Sequence, residues 1–306
     1  MKNRRIFLFA MVAALMTLPS VTLFADDDKD DNKDSDKPVA EIFWAKGHER
    51  HSRPRAAGSS SPNLSWHGGN IMSDVVVTPI FWGPNWGNAN FTNDKMTGLQ
   101  TFYMGIGNST YAHTSDEYKD ANGSVTDIIH YTQYHMDLSP APSKGSRVSP
   151  ILAEVCKLIQ SPSANGYYPV YVDTPRGSAG FCAWHSAGYC NGIAVQFAFF
   201  FNLDGDAGCD PGDNSSSHSQ GLAALANVSG HEISEARTDP RLNAWYDSSG
   251  AENADKCAWS FGKSLLNFSN NSQWMIQGNW SNNAFNAGTG YPNTRGQNGC
   301  IDGNQK

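Results

Sequence analysis

Charged residues are scarce in this sequence: only 17% of its 306 residues are Asp, Glu, Lys or Arg. Acidic groups outnumber basic ones, 29 against 22, for a formal net charge of −7, which argues against nucleic acid as a partner. Beyond the amino-terminal segment no apolar run approaches the roughly 20 residues that cross a bilayer, so no membrane association is expected once that segment is removed. There is no Gly-x-Ser-x-Gly elbow and no phosphate-binding glycine loop, which removes the serine-hydrolase and nucleotide readings that rest on those motifs. None of the cysteines stands in the Cys-x-x-Cys spacing of a structural zinc site. No internal repeat is evident.

What is present begins with an export signal. Lys2, Arg4 and Arg5 precede an apolar run from residue 6 to about residue 18, then Pro19, Ser20 and a small-residue stop near Ala25. That order is a cleavable secretory signal, so residues 1–25 are expected to be lost and the protein to be secreted, either extracellular or periplasmic. Residues 26–37 read DDDKDDNKDSDK, too charged to bury anything. Residues 26–62 as a whole are read as an acidic leader and flexible linker, including a basic patch of Lys46, His48, Arg50, His51, Arg53 and Arg55. The remaining stretch, 63–306, is long enough for one domain with a sizeable core. All six cysteines, Cys156, Cys182, Cys190, Cys209, Cys257 and Cys300, fall in it. An even count in an exported chain predicts disulfides, with Cys182 and Cys190 as the expected local pair.

Periodicity predicts an α/β layered fold, a mixed sheet with packed helices. The run DVVVTPIFW at 74–82 reads as a buried strand closed by Gly83 and Pro84. A helix is expected after Thr92, with Met96, Leu99, Phe102, Tyr103 and Ile106 on its apolar side. Strands are expected in 126–135, 168–174 and 193–203, and helices in 146–160 and 217–238. The last of these stops at Asp239, because Pro240 drives the preceding residue out of helical geometry. An irregular, disulfide-held carboxy-terminal part follows.

The long helix carries the residues most suited to chemistry. His231 and Glu235 are one turn apart and share a face, with Glu232 beside them. This is the pattern of a zincin-like helix: two ligands at i and i+4 hold zinc, and the Glu next to the first takes a proton from the bound water. Here Glu235 stands where the commoner motif has His, and a carboxylate oxygen is an acceptable zinc ligand. Glu252 and Asp255 are placed to fold back as further ligands; Asp239 and His185 are additional candidates. The competing reading is a surface helix with solvated carboxylates. Asp204, Asp206, Asp210 and Asp213 form a less favoured calcium candidate. Trp66, Trp82, Trp86, Trp245, Trp259, Trp274 and Trp280 could stack on sugars, although large aromatics are more often core.

Four segments together, VVVTPIFWGP, FYMGIGNSTYAHTSDEY, GFCAWHSAGYC and GHEISEARTDPRLNAWYDSSGAENADKC, give the chain a resemblance to the EXORDIUM-like, phosphate-induced protein family of plants and bacteria. Plant members typically read HELAE followed by a carboxylate-bearing segment before a cysteine, which corresponds here to His231, Glu232, Glu235, Glu252, Asp255 and Cys257. The resemblance implies secretion to the wall or extracellular space and, in plants, a link to growth control. It brings no enzymatic activity with it. Two functions are therefore expected from the residues: a secreted zinc hydrolase of the peptidase kind acting on an extracellular peptide, with Glu232 as general base, or a non-catalytic extracellular protein that binds a partner such as a cell-wall polysaccharide and holds a structural metal or none.

Overall fold

The computed structural model describes residues 41–48, 61–143, 147–215, 217–262 and 265–305. The signal, the acidic leader to residue 40 and most of the basic patch lie outside the described residues.

Eight strands form one mixed sheet: β1 (Glu41–Trp44), β2 (Val75–Val77), β3 (Ile80–Trp82), β4 (Ile129–Tyr131), β5 (His135–Asp137), β6 (Gly166–Pro175), β7 (Phe181–Cys190) and β8 (Ile193–Asn202). The order runs β1-β7-β8-β6-β2-β4, and β3 pairs with both β6 and β5. β7 is antiparallel to β1 and to β8, whereas β6 runs parallel to β8, β2 and β3. A parallel strand covered on both faces reads as a near-continuous apolar run, and β6, GYYPVYVDTP, is buried over its first eight residues.

Three main helices cover the sheet: α1 (Lys95–Ile106), α2 (Val148–Leu158) and α3 (Gln220–Thr238). Side chains alternate between faces along a strand, and β7 shows which helix meets which face. A Cβ on Gly188 would strike Leu152 of α2 at 2.5 Å, and Cys190 is bonded to Cys156 of α2, so the even-numbered residues of β7 face α2. His185, on the odd-numbered side, faces α3. α1 shares that side: Tyr103 of α1 bonds Tyr171 of β6 at 2.8 Å, and Tyr171 bonds Ser229 of α3 at 2.6 Å.

The mixed α/β arrangement matches the sequence, with differences in four places; the strand expected over 126–135 is two, β4 paired with β2 and β5 paired with β3. The strand expected over 74–82 is two short strands with Thr78 and Pro79 between them, since proline cannot donate to a ladder. Glu41–Trp44, read as linker, is the edge strand of the main sheet. Phe181–Cys190, read as a cysteine-closed loop, is a ten-residue strand.

That last difference overturns the expected Cys182–Cys190 pair. In an extended strand their Cα atoms are about 26 Å apart, far beyond the reach of about 7 Å of a disulfide. The pairs formed are Cys156–Cys190, Cys182–Cys209 and Cys257–Cys300. The carboxy-terminal part is irregular with short strands, as expected, and Cys257–Cys300 ties it together.

Candidate metal centre

α3 starts where Ser219 Oγ accepts from Leu222 N at 3.2 Å, while Asp94 Oδ2 accepts from Ser219 N at 2.7 Å. It ends at Thr238, before Asp239 and Pro240. In between, every residue from Gly221 to Thr238 is buried. Small residues permit this: a Cβ on Gly230 would lie 2.6 Å from Ile276 of the overlying carboxy-terminal segment. The surface-helix reading is thereby overturned. With the sheet on one side and residues 276–279 on the other, the helix carboxylates have no solvated face.

Burial turns the HExxE spacing into a cluster. His231 Nε2 lies 3.1 Å from Glu235 Oε1 and 3.8 Å from Asp255 Oδ1. Glu235 Oε2 lies 3.6 Å from His185 Nε2, which is 3.4 Å from Glu252 Oε2. Two groups have donor atoms within 4.8 Å of one another, His185 with Glu232 and Glu235, and His231 with Glu235 and Asp255. All the predicted residues, His231, Glu232, Glu235, Glu252 and Asp255, thus meet in one place, and His185 joins them. Asp239 sits nearby with its Oδ1 accepting from Asn243 N and Ala244 N, each at 2.6 Å, and belongs to neither group.

Seven polar atoms here lack hydrogen-bond partners. Among the described residues, both ring nitrogens of His185, Nε2 of His231, both oxygens of Glu232, Oε2 of Glu235 and Oε2 of Glu252 are buried and unpartnered. A buried polar group without a partner is costly, and a buried charge more so. Convergent orphaned donors of this kind fit a cation: these side chains could hold a metal ion.

Electrostatics points the same way. Burial pushes the carboxyls of Glu232, Glu235 and Glu252 well above their ordinary range, and neighbouring acids raise Glu232 and Glu252 further. Burial, then Glu235, raises Asp255 to about 7. Burial, then His231, lowers His185 to about 3; burial also lowers His231 to about 4. Protons alone would have to quiet this cluster if no cation did.

β1 forms the cover. Glu41 pairs across the ladder with His185, and burial followed by the charge of Asp255 raises its carboxyl to about 10. Phe43 stacks on the His231 ring, centroids 3.9 Å apart, and on Trp259 at 4.7 Å. Trp259 has φ +56°, an uncommon conformation for a bulky residue, and its indole donates to the Trp44 carbonyl at 3.0 Å. Sequence reasoning missed Glu41 because it lies in apparent linker; the short apolar run IFW after it was the available signal.

Other sequence candidates come apart. Asp204 pairs with Lys95 and Asp206 with Arg176, while Asp210 and Asp213 accept from Gly212 N and Ser215 N in their own turns. These four acids make separate contacts and form no metal-holding group among the described residues, so the calcium reading gains no support. Of the seven tryptophans considered for sugar stacking, Trp66 is exposed, Trp245 and Trp259 are half-buried, and the other four are core. Surface hollows near Met275 and near His135 are lined by none of the cluster residues.

In comparisons with protein-family models, with curated proteins and with solved structures, the chain matches none.

Proposed function

We propose that this chain is an exported protein of the EXORDIUM-like type whose α3–β7 cluster is a zinc centre serving a hydrolase of the peptidase kind. The observation that carries this reading is the convergence of buried, unpartnered imidazole nitrogens and carboxylate oxygens around Glu235. One imidazole with several carboxylates is a donor set that zinc accepts. Bound zinc would supply Lewis acidity and lower the pKa of a bound water toward 7. Glu232, with two unpartnered oxygens beside His185 and Glu235, is the residue to accept that proton. His185, His231, Glu235, Glu252 and Asp255 would hold and orient the ion, and Phe43 with Trp259 would exclude bulk water.

A second reading has its own support. His185, His231, Glu232, Glu235 and Glu252 are each no more than 1% exposed, and a metal site closed by protein is the structural kind. On that reading the protein is a non-catalytic extracellular or cell-wall binding protein.

A casein or peptide-library digest with and without chelator separates the two, run on wild type and Glu232→Gln. The hydrolase predicts chelator-sensitive cleavage, lost by about 10²–10⁴-fold in Glu232→Gln, with metal content retained. Stoichiometric zinc without cleavage would establish the structural reading instead. Full activity in Glu232→Gln would reject the role of Glu232.

A further inference from the structure

We propose that the cluster is built for two divalent cations, bridged by the carboxylate of Glu235. The inference rests on the metal-centre reading above and deepens it, because that reading needs only one ion.

The first support is the way Glu235 divides its oxygens. Oε1 faces His231 Nε2 at 3.1 Å, and Oε2 faces His185 Nε2 at 3.6 Å. Each oxygen thus belongs to a different imidazole. Each imidazole brings a further carboxylate: Glu252 on the His185 side at 3.4 Å and Asp255 on the His231 side at 3.8 Å. Both donor groups contain Glu235, and Glu232 lies beside the His185 group as the proton acceptor. The two imidazoles fall in separate donor groups, so an ion held by one group leaves the other imidazole unused, whereas two ions use both. Paired metal sites place their ions about 3.5–4 Å apart, a spacing that one carboxylate spans.

The second support is charge. Five carboxyls meet here, those of Glu41, Glu232, Glu235, Glu252 and Asp255. Ionised together, the five need more than one divalent ion: one offsets two of the charges and two offset four. The neighbouring cationic side chains are engaged elsewhere: Arg237 donates to the carbonyls of Ala112 at 2.9 Å and Thr126 at 2.5 Å, Lys256 pairs with Asp247 at 2.8 Å, and Lys46 donates to the Asp210 carbonyl.

The two halves are not equivalent. Gln277 donates its Nε2 to the Ala254 carbonyl at 2.9 Å and accepts at Oε1 from Trp259 N at 3.2 Å. Its amide therefore presents N–H to His231 Nδ1 at 3.0 Å, which places the ring proton on Nε2. Coordination through Nε2 needs that proton on Nδ1 and the Gln277 amide turned over, at the expense of those two bonds. His185, unpartnered at both nitrogens, carries no such condition. The His185 half binds first, and the second ion binds about tenfold or more weakly, the weight of one or two neutral hydrogen bonds.

Titration of chelator-stripped protein with zinc, followed by calorimetry and by elemental analysis after dialysis, is the test. Two ions per chain in two resolved steps are expected, falling to one in His185→Ala and in His231→Ala. Manganese loading gives a second readout that needs no variant to fold: bridged ions yield an exchange-coupled electron paramagnetic resonance spectrum, and isolated ions do not. One ion per chain, or two with uncoupled spectra, overturns the bridged pair while leaving the metal centre intact. No bound ion at all overturns the metal-centre reading itself.

Discussion

Acidic residues in this protein live in two kinds of neighbourhood. Around β5, α2 and the loop after β8, acids are paired: Asp137 with Lys157, Asp204 with Lys95, Asp206 with Arg176. Asp247 and Lys256 make a similar pair. At the α3–β7 interface five carboxyls meet two imidazoles and no Lys or Arg side chain among the described residues. The pKa directions follow the partners. Lys157 holds Asp137 below the ordinary carboxylate range, whereas burial and mutual repulsion push Glu232 and Glu252 far above it. The fold supplies a Lys or Arg to Asp137, Asp204, Asp206 and Asp247 and none to this convergent group among the described residues, and that difference is the basis for proposing a cation from solution there.

Removing the proposed cation is the largest break the comparison allows. A ligand held only by the native state, present at about 1,000 times its Kd, stabilises by about 4 kcal/mol. At about 2–4 °C per kcal/mol for a domain of this size, a strong chelator is expected to lower the melting temperature by roughly 8–16 °C, and added zinc to restore it. Differential scanning calorimetry on untreated, stripped and reloaded protein checks this. An unchanged melting curve in protein that contains no metal before treatment would return the cluster to a set of protonated acids.

Much of this neighbourhood was legible in the sequence. The i, i+4 spacing of His231 and Glu235 fixes them on one helix face, and the acids of 252–255 recur a short loop later. What could not be read was burial. The string ALANVSGHEISEART has no long apolar stripe, so it resembles a surface helix; its Gly, Ala and Ser residues instead let both the sheet and Ile276 approach. His185 was drawn in for the wrong reason, as part of a cysteine-closed loop, when its rigidity comes from the middle of a strand. Glu41 was hidden by its distance in sequence, 144 residues from His185 and 214 from Asp255, which no local pattern reveals. The disulfide partners were equally non-local: Cys156 meets Cys190 across the α2–sheet interface.

A smaller effect distinguishes proton from metal as the agent that quiets the cluster. Asp255 is raised from its ordinary value to about 7 and Glu41 to about 10. An acid whose folded pKa is raised contributes stability that is complete below its unfolded pKa of about 4 and is lost as pH rises through the folded value. Stripped protein should therefore weaken from pH 5 to pH 7, by about 1.4 kcal/mol per pH unit for each proton the native state alone retains. Metal-loaded protein should show the opposite slope, because ligands must be deprotonated and affinity grows with pH. Parallel melting curves with and without metal across this range would remove the coupling between ion and carboxyls.

The smallest expected effect lies on the paired side. Lys95 is buried, yet its partner Asp204 is 43% exposed in its side chain, so water can take over when the cation is deleted. Lys95→Met keeps an apolar stem beside Phe91 and Trp86, whose rings lie 3.9 Å and 5.6 Å from the ammonium, and gives up one ion pair together with a bond to Asn202 at 3.1 Å. Partly exposed pairs contribute about 0–1 kcal/mol, so the loss should stay near 1 kcal/mol. Distant, unconnected sites add independently, and the chelator-induced drop in melting temperature should therefore be the same in Lys95→Met as in wild type. Glu235→Gln should instead abolish most of that drop, since it removes the carboxylate shared by both donor groups. If Lys95→Met blunted the chelator response as strongly as Glu235→Gln, the two neighbourhoods would not be electrostatically separate, and the absence of a Lys or Arg at the α3–β7 interface would no longer single that interface out.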